Sequence, residues 1–244
     1  MSATAERALL QVLKVSKSFG FPALSEVDCH VNPGERLGLI GPNGSGKTTL
    51  INCITGAQAV DAGTITLAGT NITMLPGHRR ARLGVARTFQ IPQPFKSMSL
   101  LQNLVVPMRF GTPGSPRRAG IEERAREILR LVGLDDKADR MPTELTQIEM
   151  RKLELARALS LQPKLLLLDE VLAGLSTAEV DQILVLLKQV NAQGIAVIMI
   201  EHIMRAVMSF CERIVVLNAG MKIADGLPEA VMRIPEVEKA YLGE

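Results

Sequence analysis

The chain has no tryptophan, one tyrosine and six phenylalanines, so aromatics make up only 3% of its 244 residues. That scarcity argues against an aromatic platform for stacking the bases of a single strand. Cysteine is scarce as well. Cys29, Cys53 and Cys211 stand far apart without C-x-x-C spacing, which argues against a disulfide framework or a zinc site and for reduced thiols in a cytosolic protein. Charge of one sign is also missing. The 28 Lys+Arg and 25 Asp+Glu leave a net charge of +3 with no long basic run, so no nucleic-acid partner is expected. No apolar stretch approaches the ~18 residues of a membrane helix. The longest are Leu165–Leu168 and Ile195–Ile200, and Met1–Leu10 lacks a signal-peptide apolar core. What is present, 47% apolar and 22% charged residues, is the composition of a folded globular chain with a real core.

No internal repeat is visible. The spacing predicts strands at Leu9–Val15, Leu24–Val31 and Arg36–Ile40, with the Asn32-Pro33-Gly34 turn before the last, then a helix from Gly46. Thr64–Leu67 reads as a strand and Gly69-Thr70-Asn71 as a turn. Between Gln93 and Ala158 the pattern becomes helical, with Ile121, Ala125, Ile128, Leu129 and Val132 on one face, and Gly111–Ser115 is the most loop-like segment. The α/β pattern then returns. Lys164–Asp169 is an apolar run ending in acid, and Ser176 with Glu179 forms a capping box before Val180, Ile183, Leu184 and Leu187. Ile195–Ile200 reads as a strand covered on both faces, and Arg213–Leu217 with Met221–Ala224 as a hairpin.

Gly41-Pro42-Asn43-Gly44-Ser45-Gly46-Lys47-Thr48 matches G-x-x-x-x-G-K-[ST] in full, and Thr49 extends it. A polyphosphate needs several N–H donors converging on it, and glycines let the backbone turn tightly enough to aim them. The helix that follows adds its positive end. Lys47 is placed to reach the terminal phosphates and the Thr48 hydroxyl to ligate Mg²⁺. The dinucleotide fingerprint fails, because Thr49 stands where the third glycine belongs. Leu165–Leu168 ends in Asp169-Glu170. A buried strand ending this way puts two carboxylates at the sheet edge where ligands bind, Asp169 for Mg²⁺ and Glu170 for activating a water.

With these motifs in place, the chain resembles the ATP-binding-cassette (ABC) ATPases over nearly its whole length. The resemblance implies a P-loop (RecA-like) α/β core with an N-terminal antiparallel β subdomain and a helical insert. Residues 1–92 would hold the β subdomain and first part of the core, 93–158 the helical subdomain, and 159–244 the rest of the core. It also implies roles. Phe89-Gln90 looks like the glutamine loop, with Gln90 near Mg²⁺ or the attacking water. His202 looks like the switch histidine on the γ-phosphate, and Ala173-Gly174-Leu175-Ser176 like the loop after the catalytic acid. Phe19 sits where the family stacks an aromatic on adenine. Arg87-Thr88-Phe89-Gln90, Glu170 followed by Val171–Leu175, and the closing Ala224-Asp225-Gly226 … Ala240–Glu244 resemble the branched-chain amino acid importers, with urea and amide uptake systems as relatives.

One segment departs from the family. Leu145-Thr146-Gln147-Ile148-Glu149 stands where Leu-Ser-Gly-Gly-Gln is usual. Thr146 can still offer a hydroxyl to nucleotide, but Gln147 and Ile148 replace residues that let backbone approach a phosphate, and Glu149 is expected to set a negative charge near it. The site completed by this segment is therefore expected to hydrolyse slowly or to be structural, which tilts the expected partner cassette towards a paralogue.

The resemblance implies an ATP-hydrolysing importer subunit, peripheral on the cytoplasmic face of the cell membrane. Its expected partners are a second cassette, transmembrane permease subunits and, indirectly, a solute-binding protein. Pro92, Pro94, Phe95 and Met98 are candidates for the permease contact, with burial in the helical insert as the rival. A mechanical ATPase of DNA repair or translation would need a coiled-coil insertion or two cassettes in one chain. A P-loop GTPase would need Asn or Thr ahead of Lys, and Asp136-Lys137-Ala138-Asp139 has neither. A scaffold that binds nucleotide without hydrolysing it is motivated by the altered segment, while intact Lys47, Asp169, Glu170 and His202 argue against it.

Overall fold

The structure is a computed structural model and describes residues 8–111 and 118–242. Most of the loop-like segment at 111–115 and the last two residues of the closing motif lie outside them. The chain opens with β1 (Leu10–Ser18), β2 (Pro22–Val31) and β3 (Arg36–Ile40), followed by α1 (Lys47–Thr55), β4 (Ala62–Leu67) and β5 (Thr70–Asn71). β1 runs past Val15 because Lys17 and Ser18 pair with Leu24 and Pro22, and Ser16 with Ala62, across register shifts. Next come α2 (Gly77–Arg82) and β6 (Val85–Arg87), then α3 (Leu100–Gly111), α4 (Arg118–Leu131) and α5 (Gln147–Leu159). The remainder alternates: β7 (Leu165–Asp169), α6 (Thr177–Asn191), β8 (Ala196–Ile200), α7 (Met204–Phe210), then the hairpin β9 (Arg213–Asn218) and β10 (Met221–Gly226), and α8 (Pro228–Val231) with α9 (Pro235–Leu242). The Ser176 capping box forms as its sequence predicts, with Ser176 Oγ accepting the Glu179 N–H.

Two sheets result. An antiparallel one has the order β2-β1-β4-β5, and a six-stranded one has the order β10-β9-β3-β8-β7-β6. In the second, all neighbours are parallel except the β9–β10 hairpin. This is the expected α/β core with an N-terminal antiparallel sheet and a run of helices inserted between β6 and β7.

Side-chain alternation explains how the parallel sheet divides two cores. Leu165 and Leu167, Ala196, Ile198 and Ile200, and Val215 and Leu217 share one cluster with β1, β2, β4 and the α1 residues Leu50, Ile51 and Ile54. Leu166 and Leu168, Val197 and Met199, and Ile214 and Val216 join the other, with α3 to α7. Strands buried on both faces need apolar residues at every position, which is why β7 and β8 read as unbroken runs.

The sequence gives little sign of α2, a polar turn of helix. It is held by Arg80, which is buried and donates to the carbonyls of Cys53, Ile54, Leu75 and Thr73. Two of these are orphan carbonyls at the end of α1. Arg80→Leu is expected to cost about 2–4 kcal/mol by leaving them unpaired. It should appear as a lower urea midpoint at unchanged m-value.

Candidate functional site

Strand order assembles the site. β3, β8, β7 and β6 are adjacent and parallel, so their carboxyl ends lie side by side, where open α/β sheets bind ligands. The phosphate loop follows β3, His202 follows β8, Asp169 ends β7 with Glu170 next, and Gln90 lies three residues beyond β6.

The loop's backbone accounts for its glycines. Gly41 has φ 150, and a Cβ there would stand 2.1 Å from the Leu217 carbonyl oxygen. Gly46, at φ 102, begins α1, and a Cβ would stand 2.6 Å from the Ala23 oxygen. Any other residue would strain the chain or push the neighbouring strands apart. No side chain caps α1 and no acid lies in its first turn, so its N-terminal amides are left for an external acceptor. Lys47 is buried and its ammonium bridges the loop, donating to the Gly41 oxygen at 2.7 Å and the Pro42 oxygen at 2.9 Å. Burial lowers its pKa from the usual lysine value, while Glu170 and Asp169 oppose that shift.

A cavity of about 520 Å³ opens on the loop. It is lined by Asn43, Gly44, Ser45, Gly46, Lys47, Thr48, Thr49, Glu170 and Phe19, and also by Phe21, which no motif in the sequence marks. Both rings are exposed, Phe19 by 49% and Phe21 by 65%, and Lys17 Nζ stands 5.4 Å above the Phe19 centroid.

Behind the cavity the acids have unequal surroundings. Asp169 is buried and accepts from Arg87 Nη2 at 2.6 Å, while Arg87 Nη1 donates to Asn52 on α1 at 2.5 Å. Glu170 takes the left-handed conformation, φ 50, which turns it out of the strand. One of its oxygens accepts from Gln90 Nε2 at 2.6 Å, and the other lies 2.9 Å from His202 Nε2. The structure thus brings Gln90, Glu170 and His202 into one hydrogen-bonded group next to the phosphate loop.

Thr146 is not part of that group. It is exposed at the N-cap of α5 and is not among the residues lining the cavity. The expectation for Glu149 needs correcting. Its carboxylate folds back to accept the Thr146 N–H at 3.0 Å and pairs with Lys137. These bonds hold its pKa below the usual carboxylate value. Thr-x-x-Glu is a capping box, and the charge it carries is matched locally instead of standing free.

α5 presents further polar groups to the Gln90 segment. Arg151 Nη1 donates to the Gln90 carbonyl at 2.7 Å, Glu154 Oε1 accepts the Phe89 N–H at 2.8 Å, and Arg157 Nη1 donates to the Gln93 carbonyl at 2.6 Å. Burial pushes the Glu154 carboxyl up. These residues fall at i, i+3 and i+6, one face of a helix, but nothing local in the sequence names their partners. Glu201 is also buried. Burial raises its pKa to about 7, and Glu170 adds to the shift, against the backbone N–H groups of Leu172 and His202 and the Arg151 charge.

Comparison with known proteins gives the chain a family. The ABC transporter family model matches residues 24–173. The chain is 40% identical to the high-affinity branched-chain amino acid transport ATP-binding protein BraF of Pseudomonas aeruginosa, over 98% of this chain and 99% of that one. It is 39% identical to LivG, of the same description, from Escherichia coli, over 92% and 93%. Among solved structures, a nucleotide-free ATP-binding cassette from an ABC transporter superposes with a TM-score of 0.89 at 33% identity, covering 97% of this chain and all of that one. A cassette in its ADP conformation gives the same score and identity, covering 97% and 99%. The chain belongs to the ABC transporter family, and within it to the ATPase cassettes, whose ATP hydrolysis is coupled to transport.

Glu201 generates a pH prediction. Its raised pKa means the native state holds a proton that the unfolded state gives up, so its contribution makes stability fall as pH rises from about 4.5 to about 7. Glu201→Gln removes that loss. Its stability relative to wild type, measured by urea unfolding, is expected to be about 2 kcal/mol more favourable at pH 8 than at pH 5.

Proposed function

We propose that this chain is the ATP-hydrolysing subunit of an importer for branched-chain, hydrophobic amino acids. The meeting of Gln90, Glu170 and His202 beside the phosphate loop carries the hydrolytic part. The kinship with BraF and LivG along almost the whole chain supports the class of solute.

In this reading the backbone N–H groups of the 41–49 loop, Pro42 excepted, cradle the triphosphate, Lys47 neutralises its terminal phosphates, and Phe19 stacks on the base. Glu170 takes a proton from the attacking water, Gln90 and His202 hold that water in line, and His202 contacts the γ-phosphate. Thr48, Asp169 and Gln90 would hold Mg²⁺. All three offer hard oxygens, and Mg²⁺ is commonly bound through one or two carboxylates with the rest left to phosphate, water and neutral oxygens, so one carboxylate with a hydroxyl and an amide oxygen fits. Bound there, the ion would neutralise charge on the phosphate oxygens. Arg87 and Asn52 keep the Asp169 carboxylate at the sheet edge.

Thr146 faces outward, in keeping with a role on nucleotide held by a second cassette, here a paralogue. Among the described residues no helix is long and apolar enough to cross a membrane, so transport needs permease subunits, with a solute-binding protein upstream. The cassette sits peripherally on the cytoplasmic face. Pro92, Pro94 and Met98 are half-buried, whereas Phe89, Ile91 and Phe95 are exposed, which moves the candidate permease contact to these three. Phe95 packs on Arg157, 4.9 Å from its centroid.

In the assembled transporter, Glu170→Gln is expected to lower kcat by about 100-fold while ATP still binds. Undiminished hydrolysis would sink the assignment. Phe19→Ala should weaken ATP binding about tenfold by equilibrium titration, with ATP and GTP affected alike. Restoring Ser-Gly-Gly-Gln at 146–149 should raise turnover, and an unchanged rate would count against an impaired second site.

A further inference from the structure

The end of β8 holds the turn that carries Glu170 through three consecutive residues. The Ile200 carbonyl accepts the Glu170 N–H at 3.0 Å. A carboxyl oxygen of Glu201 accepts the Leu172 N–H at 2.8 Å. The His202 ring meets the Glu170 carboxylate at 2.9 Å. Of the two side chains in this set, that of Glu201 has no part in the chemistry proposed above.

A carboxyl group buried as Glu201 is, with 3% exposure, is retained against a desolvation cost and needs a reason. The turn it holds supplies one. Glu170 is an L-residue in the left-handed region, a conformation that persists only where the surroundings over-determine it. Its N–H is fixed by Ile200, but nothing in that bond fixes the chain two residues on. Leu172 is fully buried, so withdrawing the Glu201 acceptor would leave an N–H with no water to replace it.

We infer that Glu201 is a positioning residue: by holding the Leu172 N–H it keeps Glu170 in its left-handed turn, with the Glu170 carboxylate between Gln90 and His202. The inference rests on the reading of Glu170 as the group that activates water. The ionisable groups facing Glu201 are Glu170, which opposes its charge, and Arg151, which favours it. The need is for an acceptor and not for a charge. A glutamine carbonyl meets it, whereas a leucine of similar size leaves the N–H orphaned.

ATP turnover in the transporter assembled with its membrane subunits tests this. Glu201→Gln is expected to stay within about threefold of wild-type kcat. Glu201→Leu should lose about 30-fold or more in kcat at nearly unchanged KM for ATP, the signature of a displaced reacting group. Wild-type turnover in Glu201→Leu, or a loss in Glu201→Gln as large as in Glu201→Leu, overturns the inference. Glu170→Gln separates the two levels. If it is inactive while Glu201→Leu is active, only the role of Glu201 fails. If it is active, the reading of Glu170 fails as well. Because the leucine variant can fail to fold, amide exchange in the wild-type chain gives an independent readout. The Leu172 amide should be protected like those of β8, and exchange as fast as an exposed loop amide overturns the clamp.

Discussion

The parallel pairing of β3 with β8 and of β8 with β7 is the constraint on which the rest depends. It sets three carboxyl ends in register, so groups far apart in the chain arrive at one edge without long loops to carry them. β6 adds the fourth by pairing with β7 from Val85 to Arg87. A slip of one residue in β7 would exchange its inward and outward leucines between the two cores and rotate Asp169 away from Arg87. The apolar faces of the sheet therefore hold the groups of the candidate site in place as much as their own hydrogen bonds do.

The two acids at the end of β7 show how neighbouring residues of one type come to differ. Asp169 keeps the extended backbone of its strand and is held in a fixed place by Arg87, which Asn52 anchors in turn. Glu170, one residue on, leaves the strand through a positive φ and reaches the cavity edge, where its partners, an amide and an imidazole, can exchange hydrogen bonds with a water. One side chain is immobilised by an ion pair and the other is presented at the cavity edge, as the proposed proton transfer requires.

Much of this was legible in the residues. β3, β7 and β8 announce themselves as apolar runs, the phosphate loop by its glycines and lysine, and α6 by its capping box, because each is a local pattern with a local cause. The groups behind the site were not legible. Arg87, Arg151, Glu154 and Glu201 find their partners across long sequence separations, and no periodicity encodes such a pairing. Phe21 lines the cavity beside Phe19, yet only Phe19 occupies a position the family pattern marks. Glu149 differs in kind. Thr146 and Glu149 have capping-box spacing, a local signal that ties the charge to the helix start, whereas the family's usual residues at these positions speak only to the charge itself.

The seam between α5 and the strand-end segment 89–93 is made of charged and amide groups rather than methyls, and it is incompletely paired. Among the described residues, Arg87 Nε, Arg151 Nε, Arg157 Nε and Glu154 Oε2 are buried without a hydrogen bond. Apolar surfaces can slide past one another at little cost, but directional bonds at 2.6–2.8 Å cannot. Bonds of fixed direction therefore set how the helix lies against the segment, where packing alone would leave that orientation free.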